Sequence, residues 1–217
     1  MKTFIQKYGH AWILSYGFLY LPWFFHLEES VTSHYHVIHT ELDDLIPFSE
    51  YFIIPYLLWF VYVGAAITWF FFTNREDYYR LCTFLFTGMT LCLLICTIFP
   101  NGTDLRVSVD PDKNVFCWLV SLIHRADTNT NIFPSIHVYN SIGVHLAVCR
   151  SERFRGNRRI TALSACLMTA ICLSTVFLKQ HSVIDVLGAI LLAAAVTPLA
   201  FGTNAQGERK NQPQLIR

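Results

Sequence analysis

Two short segments of this sequence carry residue types that can transfer phosphoryl groups. The first is Phe133-Pro134-Ser135-Ile136-His137, and the second is His181-Ser182-Val183-Ile184-Asp185. Each lies where an apolar stretch meets a polar loop. A histidine can attack phosphorus or carry a proton, and a helix start can bind phosphate. Ionisable groups in membrane segments are costly and usually functional, so both segments point to a phosphoryl-transfer site.

The first segment has the residues of a helix start. Pro134 suits the first helical position, because its missing N–H would be unpaired there in any case. Ser135 and Ile136 would then present free backbone N–H groups, which bind phosphate together with the positive end of the helix dipole. His137 would face an anion bound at that end.

The second segment pairs a histidine with a carboxylate. His181 and Asp185 are four residues apart, so they share one face of a helix. A carboxylate on one ring nitrogen fixes the tautomer and makes the other nitrogen a better nucleophile. The spacing alone is a weak motif, and its value depends on lying opposite His137.

The composition is that of an integral membrane protein. The chain is 53% hydrophobic and 14% charged, with a mean hydropathy of +0.40. A membrane helix needs about 20 mostly apolar residues. We therefore predict an all-α fold, a six-helix transmembrane bundle in which residues 1–217 form a single integral membrane domain. The six candidate spans are 11–27, 51–73, 81–100, 134–150, 160–178 and 182–201. We find no basic stripe interleaved with aromatics, so nucleic acid is not an expected partner.

The loop charges predict the orientation. The linker 150–159 contains five arginines, and positive loops stay in the cytoplasm. With six spans, the linker 74–80 and both termini fall on that same side. The terminal charges are Lys2, Lys7, Arg209, Lys210 and Arg217. His137 and His181 then both lie at the opposite face, which is the outer or lumenal one.

The motifs resemble the second and third signature motifs of the type 2 phosphatidic acid phosphatase superfamily. The resemblance rests on the Phe-Pro-Ser-Ile-His run at 133–137 and on Ser174, His181 and Asp185, and it covers a catalytic core of about residues 100–200. It implies a membrane enzyme that acts on a lipid phosphate without a metal or other cofactor. It also implies that His181 is the nucleophile that forms a phosphohistidine, that Asp185 orients it and that His137 is the general acid.

The remaining implied residues bind the phosphate. Ser135 and Ser174 match the motifs, but Thr175 stands where the superfamily usually has an arginine. Lys179 is a candidate replacement for its charge. Arg125 is the candidate clamp, since a guanidinium can hold two phosphoryl oxygens, although it could instead pair with Asp127.

Three functions follow from these observations. The first is a membrane phosphatase acting on a lipid phosphate or polyprenyl diphosphate. The second is a lipid phosphotransferase, because the altered motifs resemble the sphingomyelin-synthase-like branch. The third is a non-catalytic transporter or scaffold, against which the intact histidines and the lack of internal repeats argue. His34, His36 and His39 suggest either a metal site or, more consistently with their spacing, a surface loop or lid.

Overall fold

The computed structural model describes residues 8–202. The terminal charges that contribute to the orientation argument, Lys2, Lys7, Arg209, Lys210 and Arg217, lie outside the described residues. The described part is mostly helical, which confirms the predicted fold class at that level.

Eight α-helices follow one another along the described chain. They are α1 (Gly17–Ser30), α2 (Glu41–Leu45), α3 (Ile53–Thr73), α4 (Arg75–Ile98), α5 (Val115–Ala126), α6 (Ile136–Arg150), α7 (Arg158–Phe177) and α8 (Val183–Phe201). Two 3₁₀ helices, Gly9–Tyr16 and Glu50–Phe52, lead into α1 and α3. Two short strands, β1 (His36–Val37) and β2 (Asn101–Gly102), pair in parallel.

Four helical segments are long and apolar enough to cross a membrane. They are Glu50–Thr73, Arg75–Ile98, Arg158–Phe177 and Val183–Phe201. They correspond to the predicted spans 51–73, 81–100, 160–178 and 182–201. The other two predicted spans fall on shorter α-helices, because α1 has 14 residues and α6 has 15. The chain is an integral membrane protein, and the count of six spans remains a prediction.

The segment 74–80 is not the linker that the sequence predicted. Only Asn74 separates α3 from α4, and its side-chain oxygen accepts hydrogen bonds from the N–H groups of Glu76 and Asp77. This N-cap starts the helix at Arg75, well before the apolar run that marked the predicted span. The charged residues of 75–80 therefore lie on the first turns of α4.

Helix α6 occupies the centre of the bundle, where it packs against α3, α4, α7 and α8. Two glycines allow its close approach to α4. The Tyr139 ring fills the space where a Cβ of Gly88 would lie, and the Phe84 ring does the same at Gly143. The Tyr139 hydroxyl donates to the Phe84 carbonyl at 2.8 Å. Small residues at such crossings let membrane helices pack backbone to backbone.

Four short elements lie in the segments between the longer helices: β1, α2, β2 and α5. The strand β1 tethers the segment before α2 to β2, which directly follows α4. The amphipathic α5 begins at the N-cap Asn114 and buries Cys117 and Val120. The sequence interpretation treated this whole region as loop, because neither α2 nor α5 is long enough to resemble a span.

Candidate active site

His181 lies directly before α8, beside a carboxylate one turn further on. The backbone N–H of Ser182 donates to Oδ2 of Asp185 at 2.8 Å, and the Ser182 hydroxyl accepts from the first turn of the helix. The same Oδ2 lies 3.3 Å from Nδ1 of His181. Asp185 is fully buried and His181 is 7% exposed. The capping box of α8 thus brings the carboxylate up against the imidazole.

His137 lies in the first turn of α6 and faces His181. Its ring is flanked by two aromatic rings of α3, with centroid distances of 4.5 Å to Tyr56 and 4.4 Å to Trp59. The ring of His181 lies on another side, 5.8 Å away between centroids. The structure therefore brings together two histidines that are far apart in the sequence.

The start of α6 differs in detail from the expected helix start. Ser135 is the N-cap, so Pro134 precedes the cap and does not take the first helical position. The Ser135 N–H donates to the carbonyl of Asp185 at 3.2 Å, which joins the two motifs through the backbone. The first helical N–H groups, of Ile136 and His137, have no acceptor within their own helix.

Two of the predicted phosphate ligands bond to other parts of the protein. Ser174 is fully buried, and its hydroxyl donates to the carbonyl of Ile171 at 2.6 Å. Lys179 is 8% exposed, and its ammonium group donates to the carbonyl of Asp43. Neither residue lines the cavity that reaches the histidines.

Arg125 is exposed on the last turn of α5. Its guanidinium donates to the Ser121 carbonyl at 3.2 Å and to the Ser121 hydroxyl at 3.1 Å. The Asp127 carboxylate, which was the alternative partner of Arg125, lies 3.5 Å from the guanidinium of Arg106. Arg125 does not line the cavity either.

Arg106 contacts the residue directly before His181, although it too is not among the residues that line the cavity. Its guanidinium donates to the carbonyls of Asp127 at 2.7 Å and Thr128 at 2.5 Å, and to Oε1 of Gln180 at 2.8 Å. It thereby ties the segment after α5 to the residue before His181. The sequence interpretation selected Arg125 and missed Arg106, which is the other arginine of the predicted outer loop.

A cavity of about 560 Å³, lined mainly by α1 and α3, reaches the two histidines. Its walls are aromatic and aliphatic side chains of α1 and α3, including Phe24, Phe25 and Phe60. Its polar end contains His137 and His181. An apolar cavity with a few convergent polar groups is the usual form of a small-molecule site.

Two carboxylates, Glu28 and Asp127, also lie at the polar end of the cavity. Glu28 accepts hydrogen bonds from the Thr128 hydroxyl at 2.6 Å and from the Asn131 side chain at 3.0 Å. Burial raises the pKa of Asp127 to about 6, although the positive charge of Arg106 acts in the opposite direction. The site therefore offers acceptors for hydroxyl or cationic groups beside the histidines.

Three histidines outside the cavity, His36, His39 and His145, have partners of their own. Nδ1 of His145 lies 3.1 Å from the Ser164 hydroxyl on α7, which joins α6 to α7. His39 lies within hydrogen-bond distance of Asp104 and Asp44. The ring of His36 stacks on Phe99. Within residues 8–202, no group of three or more His, Cys, Asp or Glu side chains has the arrangement of a metal site.

The arrangement as a whole is suited to phosphoryl transfer. The carboxylate of Asp185 favours a proton on Nδ1 of His181, which leaves the lone pair of Nε2 for attack. His137 is close enough to exchange a proton with a group bound between the rings. The free N–H groups at the start of α6 are donors for the negative oxygens of such a group.

Comparison with known families identifies the segment that carries this site. Residues 107–206 match the profile described as PAP2 superfamily, and the match contains both histidines and Asp185. No curated protein and no solved structure matches the chain significantly. Arg106 directly precedes the matched segment, and Glu28 lies far outside it. Over residues 107–206 the chain is therefore similar to the PAP2 superfamily.

Proposed function

We propose that this protein is a membrane phosphatase that hydrolyses a lipid phosphate or a polyprenyl diphosphate through a phosphohistidine intermediate. The observation that carries the proposal is the pair of imidazole rings 5.8 Å apart, with Asp185 beside one of them, at the polar end of an apolar cavity. The similarity of residues 107–206 to a superfamily that holds phosphatases and phosphotransferases supports the reaction class.

The proposed reaction has two steps. Nε2 of His181 attacks phosphorus, the bond from phosphorus to the leaving oxygen breaks, and protonated His137 gives that oxygen its proton. A water molecule then attacks the phosphohistidine while His137 takes a proton from it, and the bond from phosphorus to His181 breaks. The products are an alcohol, or a polyprenyl phosphate, and inorganic phosphate, and both histidines return to their starting states.

Binding of the phosphoryl oxygens is assigned to the start of α6, with Ser135 as its cap, and to Arg106. The cap and the free N–H groups that follow it favour an anion at this position. Arg106 is the cation that the geometry favours, because it contacts two residues of the cavity wall, Asp127 and Gln180. Arg125, Ser174 and Lys179 remain the ligands expected from the sequence.

A comparison of two arginine variants tests this assignment. We expect Arg106→Ala to lower kcat/KM by about 100-fold or more, as removal of one anion-stabilising donor typically does. Arg106→Lys should recover little, because an ammonium cannot reproduce the forked contacts of a guanidinium. Arg125→Ala is the matched variant, and steady-state phosphate release measures all three. A larger loss in Arg125→Ala than in Arg106→Ala would restore Arg125 as the clamp.

The orientation belongs to the same proposal. The arginine-rich linker 150–159 follows α6 at one end, and His137 lies at the other end of that helix. The start of α4 shares a pocket with Arg150 and Phe201, so the charged residues of 75–80 lie at the arginine-rich end. We therefore place this end in the cytoplasm and the histidines towards the outer or lumenal face.

A phosphotransferase is the second candidate function. The observation that favours it is the pair of carboxylates, Glu28 and Asp127, in the cavity beside the histidines. They can accept hydrogen bonds from the hydroxyl groups of an alcohol acceptor, which would then replace water in the second step. The catalytic residues would be the same in both reactions.

Product analysis separates the two functions. Purified protein in detergent is given phosphatidic acid, phosphatidylglycerophosphate or undecaprenyl diphosphate, in the presence of a chelator and with or without a diacylglycerol or ceramide acceptor. We expect inorganic phosphate to be released with at least one of these substrates. A new phospholipid without free phosphate would favour the transferase. No turnover of any substrate by folded protein would favour a non-catalytic scaffold.

A further inference from the structure

The short helix α2 places an acidic residue against the segment that carries His181. Asp43 is 2% exposed, and it lies far from His181 in the sequence and outside the PAP2 match. Its Oδ2 accepts a hydrogen bond from the Ser182 hydroxyl at 2.6 Å, and its Oδ1 accepts one from the Val183 N–H at 2.8 Å. Its backbone carbonyl accepts from the ammonium group of Lys179.

These contacts hold the chain on both sides of His181. Lys179 precedes the histidine by two residues, and Ser182 and Val183 follow it directly. Lys179 has a φ of 58°, in the left-handed region that residues other than glycine rarely adopt. The N–H groups of Gln180 and His181 both donate to the Thr175 carbonyl, which closes the turn. A tight turn with a strained residue needs fixed partners, and Asp43 provides three of its hydrogen bonds.

Asp43 is itself held in place. The backbone N–H and the hydroxyl of Thr40 both donate to its Oδ2, at 2.9 Å and 3.0 Å. Burial alone would raise the pKa of Asp43, but the hydrogen bonds from Ser182, Val183 and Thr40 together lower it below its ordinary value. The carboxylate is therefore charged at neutral pH, where it is a strong acceptor for all of these donors.

We propose that Asp43 is a positioning residue for His181: it fixes the turn 179–183 so that the imidazole faces His137 and stays beside Asp185. Lys179 contributes to the same set of hydrogen bonds, because its ammonium group donates to the carbonyl of Asp43 and so holds the turn. The proposal rests on the proposed function, because His181 is the nucleophile of that reaction. By this proposal the region before α3 contributes to the site, although the family match does not cover that region.

The kinetic test compares Asp43 with its neighbour. Asp43→Ala should lower kcat by about 100-fold with little change in KM, since a displacement of a reacting group by about 1 Å has that effect. Asp43→Asn should lose less, because its side-chain oxygen can still accept from Val183. Asp44→Ala is the matched control: it removes a carboxylate of the same helix that contacts His39. Equal effects of Asp43→Ala and Asp44→Ala would overturn the proposal.

A second measurement is independent of turnover. Diethyl pyrocarbonate modifies neutral imidazoles, and mass spectrometry of the peptides gives the rate at each histidine. We expect Asp43→Ala and Asp43→Asn to speed the modification of His181 and to leave the exposed His34 unchanged. An unchanged rate at His181 in the folded variants would overturn the positioning role. A third outcome is possible: the Asp43 variants show faster modification of His181, but the wild-type protein turns over no substrate. This would count against the proposed function and not against the positioning role of Asp43.

Discussion

His181→Ala is expected to abolish turnover, with a loss in kcat of about 10⁴-fold or more. In the proposed reaction no phosphohistidine forms without this imidazole, because Asp185 lies beside His181, whereas the ring of His137 packs against Tyr56 and Trp59. Asp185 keeps its hydrogen bond from the Ser182 N–H, so the start of α8 should persist in the variant. Phosphate release from a lipid phosphate is the measurement.

The control for this variant is a histidine that does not reach the cavity. His34 is exposed in the segment before β1, and His34→Ala should keep wild-type turnover. A labelled substrate should also leave an acid-labile, base-stable phosphate on wild-type protein after rapid denaturation, and none on His181→Ala. Full activity in His181→Ala would show that His181 is not the nucleophile.

His137→Ala is expected to lower kcat by about 10²–10⁴-fold, the range typical of a lost general acid. The loss should depend on the leaving group. An alkyl oxygen needs a proton as it leaves, whereas a phenolate leaves without one, so an aryl phosphate should be affected much less than an alkyl phosphate. Parallel kinetics on the two kinds of ester make this comparison.

His137→Phe separates proton transfer from packing. A phenyl ring can keep the contacts with Tyr56 and Trp59 that hold the imidazole, but it carries no proton. We expect His137→Phe to be as slow as His137→Ala on the alkyl ester. If the phenylalanine variant regained activity, the role of His137 would be to fill space between α3 and His181.

The long helices and the contact between His181 and Asp185 could be predicted because each leaves a local pattern. An apolar run of the right length indicates a span, and the spacing from His181 to Asp185 indicates a shared helix face. The start of α4 could not be placed in this way, since it depends on the cap at Asn74 and not on hydropathy. The central helix α6 was predicted as a span, although its length falls short of the four long helices.

The contacts of Arg106 and the support for His181 could not be predicted. Arg106 donates mainly to backbone carbonyls, which are the same for every residue type and leave no trace in the sequence. Lys179 was expected to face the phosphate because of its charge, but the turn at φ 58° directs it to the carbonyl of Asp43. Both contacts join segments whose proximity is decided by the packing of the whole bundle.

Because α6 is short, the proposed reaction site lies below the far end of the longer helix α4. Its last turn and the first turn of α4 lie at the same end of the bundle, where Arg150 and Asp77 share a pocket. At 1.5 Å per residue, α6 rises about 22 Å and α4 about 36 Å, so the reacting groups lie roughly 14 Å below the far end of α4. The segments that contain β1, α2 and β2 could cover the site from that end. We therefore expect a substrate to arrive sideways, between α1 and α3, and esters without an apolar tail to be poor substrates however well their phosphate fits.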